Sequence, residues 1–303
     1  VGNSEHFIIE ACEYVESFLK FNPKSAVVLN IDNDHLDYFK NIDNIKTAFA
    51  KYASLLPKDG FLVVNADDKN CSHLRENTYA RVITYSLENR KANFVARNIN
   101  FDSQGFGKFD VYYNNSYFGE FKLSVPGIHN VSNALACIAL CTMYGIDRHI
   151  IKSALLKFTG ANRRFELIGS YNNIFVYDDY AHHPSEISAT FNALSQKKYR
   201  QSWVIFQPHT YSRTKFHLDD FAKALVGFDN IIITDIYAAR EKNTFDISAT
   251  NLVEKINSLG KKAIYISSFD EIAKYIKTRA CPYDIVLTMG AGTVNEIGKK
   301  ILL

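Results

Sequence analysis

No stretch of the 303 residues comes near the roughly 18 consecutive apolar side chains that a membrane span needs, and no basic-then-apolar leader opens the chain. Neither a membrane-spanning nor a secreted protein is expected. Cysteine is sparse as well: Cys12, Cys71, Cys137, Cys141 and Cys281 are odd in number, scattered and without a CxxC pair. That argues against a disulfide framework and against zinc, and fits a reduced, cytoplasmic setting. Charge of one sign is also missing. A net charge of +3 is too small for a protein that coats nucleic acid, although it is compatible with a local anion site. There is no internal repeat and no low-complexity segment, and 47% apolar with 22% charged residues describes a folded chain rather than a disordered one. No GxGxxG follows a first strand, which removes a generic dinucleotide-binding dehydrogenase. The Gly-Ala-Gly at 290–292 lies at the end of the pattern, not at its start.

What is present is enough chain for two domains. The sequence opens Val1-Gly2-Asn3, without methionine, and the apolar run Phe7-Ile8-Ile9 follows almost at once, as though the chain began inside a domain. Residues 7–9 and 25–30 (SAVVLN) read as short buried strands, with a helix or ordered loop in CEYVESFLKF between them. Apolar spacing predicts a helix over 44–56, and FLVVN (61–65) and RVITYS (81–86) read as strands. From 92 to 125 the chain alternates, with Asn-Asn and Gly turns, which predicts antiparallel hairpins. Two helices follow, 130–145 and 147–158, divided at Gly145.

The second half is more regular. Strands at 174–179, 203–207, 230–237, in KAIYISS and at 284–290 are each followed by a helix, with Pro184 in a first turn where its missing N–H costs nothing. Five strand–helix pairs in alternation predict a parallel, doubly wound sheet. The fold class expected is α/β. Residues 1–160 form a domain with a mixed sheet, helices and a small antiparallel sheet, and residues 161–303 form a doubly wound domain, with the join near 158–165.

Doubly wound sheets bind ligands beyond the carboxyl ends of their strands, and the unusual residues fall there. DDYAHHP follows the strand at 174–179, QPHTYSRT the one at 203–207, AAREKNT the one at 230–237 and GAGT the one at 284–290, whereas returns such as KKY and GKK are bland. Singly, each has an ordinary explanation. His182 and His183 could be polar loop residues, Asp178 and Asp179 could cap the next helix, and MGAGT could be only a tight turn. Arg213 could be solvated at a helix start, although a cation there opposes the helix dipole and so favours an anionic ligand. All of them on one edge point to a site.

The first half has clusters of its own. NIDNDHLD (30–37) puts Asp32, Asp34, His35 and Asp37 directly after a strand. That donor set could hold a divalent cation, since Mg²⁺ takes one or two carboxylates plus substrate phosphates; an Asp-rich turn is the plain alternative. Glu10 and Glu13 follow the other short strand and could face the same spot. In VPGIHNVSNA (125–134), Asn130 or Asn133 could present an amide to a base edge or ribose, or Asn130 could merely cap a helix. RRFE (163–166) places Arg163 and Arg164 at the join, suited to phosphate binding or to an interdomain ion pair. Together these residues suggest Mg²⁺, a nucleotide phosphate and an acidic substrate. There is no GxxxxGK[ST], so if ATP is used its main phosphate cradle is not in this sequence.

Taken in order, NIDNDHLD, PGIHNVSNA, RRFE, DDYAHHPSE, FQPHTYSRT, DIYAARE and MGAGT closely resemble the Mur ligases of peptidoglycan synthesis, and among them the branch that adds the first amino acid. The match runs from about residue 7 to the end. The resemblance implies three domains: a Rossmann-like one for a UDP-sugar, a central ATPase domain with a P-loop, and a C-terminal Rossmann-like one for the amino acid. This sequence would hold the central domain downstream of its P-loop and all of the third. Without that loop, the chain alone is expected to bind ATP poorly and not to turn over.

The implied reaction is ATP-dependent amide formation, in which the γ-phosphate passes to the carboxylate of UDP-N-acetylmuramic acid and L-alanine attacks the resulting acyl phosphate. ATP and Mg²⁺ are the implied cofactors, the substrates are small molecules, and neither nucleic acid nor a membrane is a partner. By the family pattern Glu10 and His35 would hold Mg²⁺. Asn130 and Asn133 would meet the adenine and ribose, and Arg163, Arg164 and Asp179 the nucleotide. Tyr180, His182, His209 and Arg213 would orient the alanine and the reacting groups, with His182 near the acyl phosphate and Arg213 on the alanine carboxylate. The stretch 177–187 would then link nucleotide to substrate as the domains close. One departure is EACEYVESF, where many relatives carry EADESDASF: Glu10 and Glu13 are kept and Cys12 replaces an Asp. Two rival readings are a murein-peptide ligase, which shares the DD-aromatic-AHHP corner but lacks HTYSRT, and a non-catalytic remnant serving as a binding module, against which the intact polar corner speaks.

Overall fold

The computed structural model describes residues 4–303, the side chain of Asp37 excepted. Val1-Gly2-Asn3 lie outside it. The chain forms two compact units, one of Val1–Asn100, Lys108–Lys122 and Val131–Leu155, the other of Phe101–Gly107, Leu123–Asn130 and Leu156–Leu303. Among the described residues no helix is long and apolar enough to cross a membrane.

In unit 1, β1 (Ala26–Val28), β2 (Phe61–Asn65), β3 (Arg81–Ser86) and β4 (Phe94–Phe101) run parallel in that order, and β5 (Phe106–Tyr113) and β6 (Ser116–Pro126) extend the sheet. Only Asn114 and Asn115 join β5 to β6, with φ of 46° and 66°, the left-handed pair that a two-residue hairpin turn requires and asparagine tolerates. Between β1 and β2 the chain forms α1 (Leu36–Phe39) and α2 (Ile42–Ser54). Asn41 starts α2 by accepting the Asn44 N–H at 3.0 Å. Ile45, Ala48 and Ala53 then pack into one core with Leu62, Val64 and Leu74. Farther along, α3 (Ile128–Met143) and α4 (Arg148–Lys157) are divided at Gly145, whose φ of 72° ends the first helix cheaply.

One expected strand does not form. Phe7 and Ile8 are 88% and 93% exposed, and among the described residues no strand pairs with 7–9. An apolar triplet makes a strand only where a neighbour satisfies its backbone groups, and here the sheet ends at β1.

Unit 2 is built on a sheet in the order β11 (Ala263–Tyr265), β10 (Asn230–Ile233), β9 (Ser202–Phe206), β12 (Ile285–Met289), β8 (Ile174–Asp179), β7 (Glu166–Tyr171). All neighbours are parallel except the pair β7–β8. Strands β9 and β12 are buried at every position, as a sheet covered on both faces demands. Side chains of α5 (Pro184–Ser195), α7 (Leu218–Leu225) and α8 (Ala249–Ser258) share one core, including Ile187, Phe221 and Leu252. Those of α9 (Phe269–Arg279) and α10 (Asn295–Leu302) share the other, including Ile272 and Ile297. The doubly wound expectation holds.

Three local readings change. Strand β7 was not expected; its signal was the Asn172-Asn173 turn (φ 50° and 61°) that folds it back on β8. The strand expected over 230–237 stops at Ile233, because the chain bends to pair Tyr237 with His209 in an isolated bridge. The helix expected after β9 is broken at His217 into α6 (Tyr211–Phe216) and α7.

Candidate active site

The order of the unit 2 sheet reverses at β12. Its neighbours β8 and β9 lead into helices of one face, while β12 itself leads into α10 on the other. Such a reversal opens a crevice at the carboxyl edge, where doubly wound sheets bind ligands.

The loop after β8 is anchored from both ends. Asp179 is buried and its carboxylate accepts the Ala181 N–H (2.8 Å), the Phe165 N–H (3.1 Å) and the Thr190 hydroxyl (2.8 Å). Burial outweighs these bonds and pushes its pKa up to about 6. Neither aspartate caps α5. His183 does so, with Glu186 accepting the N–H groups of His182 (2.9 Å) and His183 (3.1 Å) in a capping box, and Pro184 opens the helix. His182, half-buried, is oriented through Nδ1 by the Tyr180 carbonyl (2.9 Å), and Tyr180 lies exposed beside it.

Because Asp179 is more basic folded than unfolded, its ionisation on folding is unfavourable. Its contribution to stability is complete below the ordinary carboxylate value of 3.8 and is lost as pH rises through about 6. Relative to Asp179→Asn, the wild type should therefore lose stability between pH 4 and pH 7, by up to about 3 kcal/mol. Parallel pH dependences of the two urea midpoints would contradict that assignment.

Aromatic rings from three strand ends meet in sequence. His182 lies 5.7 Å from His209, and His209 stacks on Tyr237 at 5.6 Å. Thr210 holds a φ of 63°, strained for a β-branched residue, through its N–H to the Tyr237 carbonyl (2.9 Å). It thereby starts α6, which carries half-buried Arg213. Glu241, from the loop after β10, accepts the Ser212 N–H (2.9 Å) and hydroxyl and so ties that loop to the start of α6. Gln207 accepts the Val294 N–H (3.1 Å), and a Cβ on Gly292 would stand 2.7 Å from Cγ of Tyr237, so any larger residue there would have to displace that ring. Gln207, Tyr237 and Glu241 were within motifs quoted from the sequence but were not singled out; their position at strand ends was the available signal.

The two arginines separate sharply. Arg163 is turned inward: Nε donates to buried Asp178 (2.7 Å), Nη2 to the Gly290 carbonyl (2.8 Å) and Nη1 to the Gly292 carbonyl (3.3 Å). Arg164 has a side chain 51% exposed, touching Glu186 at 3.4 Å. Of the two asparagines, Asn130 donates its amide to the Pro126 carbonyl (2.7 Å), and Asn133 is exposed on α3. Burial and the nearby Arg164 charge hold His129 below the usual imidazole range.

In unit 1 the acidic group differs from the expected one. Glu13, Asp34 and His35 each bring a ligand atom within 4.8 Å of the others, with His35 Nε2 3.5 Å from Glu13. Glu10, expected beside His35, is exposed and not in the group. The reason is local: the Tyr14 ring packs on His35 at 4.6 Å and carries its neighbour Glu13 with it. Two carboxylates and an imidazole are a donor set that fits Mg²⁺ when phosphate oxygens complete it.

Two family descriptions match in succession, the Mur ligase middle domain over residues 1–141 and the Mur ligase glutamate ligase domain over residues 163–292. The chain belongs to the Mur ligase family. Among curated Mur ligases, the UDP-N-acetylmuramate–L-alanine ligase of Acetivibrio thermocellus is 50% identical over 302 residues, which is 100% of this chain and 64% of the relative. The enzyme of the same name from Caldanaerobacter subterraneus subsp. tengcongensis is 49% identical, across 100% of this chain and 65% of the relative. The chain thus spans somewhat less than two thirds of these Mur ligases. Of solved structures, the UDP-N-acetylmuramate–alanine ligase of Thermotoga maritima superposes with a TM-score of 0.76 at 29% identity, over 95% of this chain and 60% of that one. A murein peptide ligase of Psychrobacter arcticus gives 0.63 at 26%, over 94% and 58%.

Proposed function

We propose that this Mur ligase chain serves ATP-dependent addition of L-alanine to the carboxylate of UDP-N-acetylmuramic acid. The observation that carries the reading is the edge where His182, His209 and Tyr237 meet at the start of the helix that carries Arg213, in a chain half identical to an alanine ligase throughout its length. The γ-phosphoryl of ATP passes to the muramic carboxylate and ADP leaves. The alanine nitrogen then attacks the acyl carbon, and inorganic phosphate departs with the carboxylate oxygen as the C–N bond closes. Positive and hydrogen-bonding groups are needed where charge gathers on that carbon's oxygen and on the phosphate.

The roles proposed are those that the family resemblance implies, adjusted where a side chain is buried. Arg213 pairs with the alanine carboxylate, and His182 and His209 line the place where amine and acyl phosphate meet. Arg164 meets nucleotide phosphate. Arg163 and Asp179 act from behind, holding the Gly290–Gly292 turn and the start of α5 where the ligand needs them. Asn130 and Asn133 meet the base and ribose. Glu13, Asp34 and His35 would hold Mg²⁺, which offsets phosphate charge when bound; Glu10, expected there from the family pattern, is exposed and outside that group.

The test is a chimera in which this chain replaces the matching 302 residues of the Acetivibrio thermocellus ligase. It should release phosphate only when ATP, UDP-N-acetylmuramic acid and L-alanine are all present, and Glu13→Gln should raise its Mg²⁺ requirement about tenfold while Glu10→Gln changes it less. The 303-residue chain alone should give no turnover. A folded chimera without alanine-dependent release, beside an active parent, would defeat the reading.

A further inference from the structure

Cys137 and Cys141 lie four residues apart on α3, on the strip that remains accessible while Val131, Leu135, Ile138 and Ala139 face the core. Cys137 is exposed and Cys141 half-exposed, and their sulfur atoms are 3.9 Å apart. Neither has a part in the ligase reading. We propose that the pair is a binding site for a soft, thiophilic monovalent coinage-metal ion held by two sulfur ligands.

The spacing favours an inserted atom over a direct disulfide. Side chains at i and i+4 of a helix keep their Cβ atoms about 5–6 Å apart, whereas a disulfide needs about 3.5–4.5 Å. Closing one here would distort α3. A monovalent ion taken up by two sulfurs in its near-linear arrangement needs them roughly 4–5 Å apart, which a modest rotation of the two side chains reaches from the present 3.9 Å without moving the helix.

The ligand count selects the ion. Among the described residues, Glu13, Asp34 and His35 form the one group of three or more metal-ligating side chains, so the thiol pair stands with two ligands. Structural zinc takes four; soft ions that prefer thiolate sulfur and low coordination need no more than the pair offers. One sulfur is prepared for the task. The hydrogen bond from Cys137 lowers the Cys141 thiol to about 7, and the same bond raises Cys137. The thiolate is the form that binds metals.

Phenylarsine oxide and Ag⁺ are the probes. With the arsenical, two S–H bonds break, two As–S bonds form and the oxide oxygen leaves as water with both protons, without a change of oxidation state. The native chain should lose two titratable thiols per arsenical bound. The adduct should resist excess 2-mercaptoethanol and reverse with 2,3-dimercaptopropanol. Silver should bind with one ion per two thiols. Cys137→Ser and Cys141→Ser should each abolish the monothiol resistance, while Cys12→Ser and Cys281→Ser leave it intact. Silver held at one ion per two thiols supports the site, and capture of the arsenical shows that both sulfurs reach one atom; capture of the arsenical with no silver bound across the pair overturns it. Consumption of a single thiol by both probes, or resistance that survives either Cys137→Ser or Cys141→Ser, overturns it.

Discussion

Replacing Arg163 by alanine should lower the stability of unit 2 by about 3–5 kcal/mol, whereas Arg164→Ala should change it by less than about 1 kcal/mol. The two residues are neighbours of the same type, and the difference lies in what surrounds them. Asp178 is 2% exposed and depends on Arg163 Nε, with Thr288 Oγ1 as its other side-chain partner at 2.6 Å. Removing the guanidinium strands a buried carboxylate and frees two carbonyls of the Gly290–Gly292 turn. Arg164 gives up a half-solvated contact with Glu186. The single tryptophan, Trp203, sits in β9 and reports on this unit without labelling. Urea unfolding followed by its fluorescence should show a large fall in midpoint for Arg163→Ala and almost none for Arg164→Ala. Equal shifts would mean that Asp178 is not held as described.

Arg213→Ala, in the chimera, should raise the KM for L-alanine about 100-fold, equivalent to about 2.7 kcal/mol, with a smaller effect on the KM for ATP. A carboxylate that loses its cationic partner in a partly desolvated crevice forfeits about that much. Arg213→Lys should recover part of the loss, since charge is restored without the planar fork. A fall in kcat with KM for alanine unchanged would remove Arg213 from the alanine carboxylate and assign it to the reacting group instead.

Much of this was legible in the sequence because period and punctuation agree in unit 2. Strand runs such as WVIF and IVLTM are too apolar for a one-sided sheet, and each ends in residues that a buried loop would not keep. What could not be read was decided by partners far along the chain. Phe7-Ile8-Ile9 has the composition of a strand, but a strand exists only where another backbone receives it. Arg163 and Arg164 are indistinguishable as letters. Their difference arises from β7 folding on β8 and from Asp178 facing inward, neither of which periodicity announces. Glu13 rather than Glu10 joins His35 because a tyrosine ring, not a charge, fixes the approach. The capping of α5 by His183 was hidden for a similar reason: both nearby aspartates were possible caps, but Asp179 is occupied with Phe165, Ala181 and Thr190 and Asp178 with Arg163 and Thr288.

The choice of amine tests the account most directly. The chimera would be supplied with ATP, UDP-N-acetylmuramic acid and either L-alanine or the tripeptide L-alanyl-D-glutamyl-meso-diaminopimelate, and the products separated by mass. The account predicts UDP-N-acetylmuramoyl-L-alanine with the first amine and at most trace product with the second. Efficient ligation of the tripeptide, with L-alanine a poor substrate, would contradict it and make this edge the acceptor site of a peptide ligase.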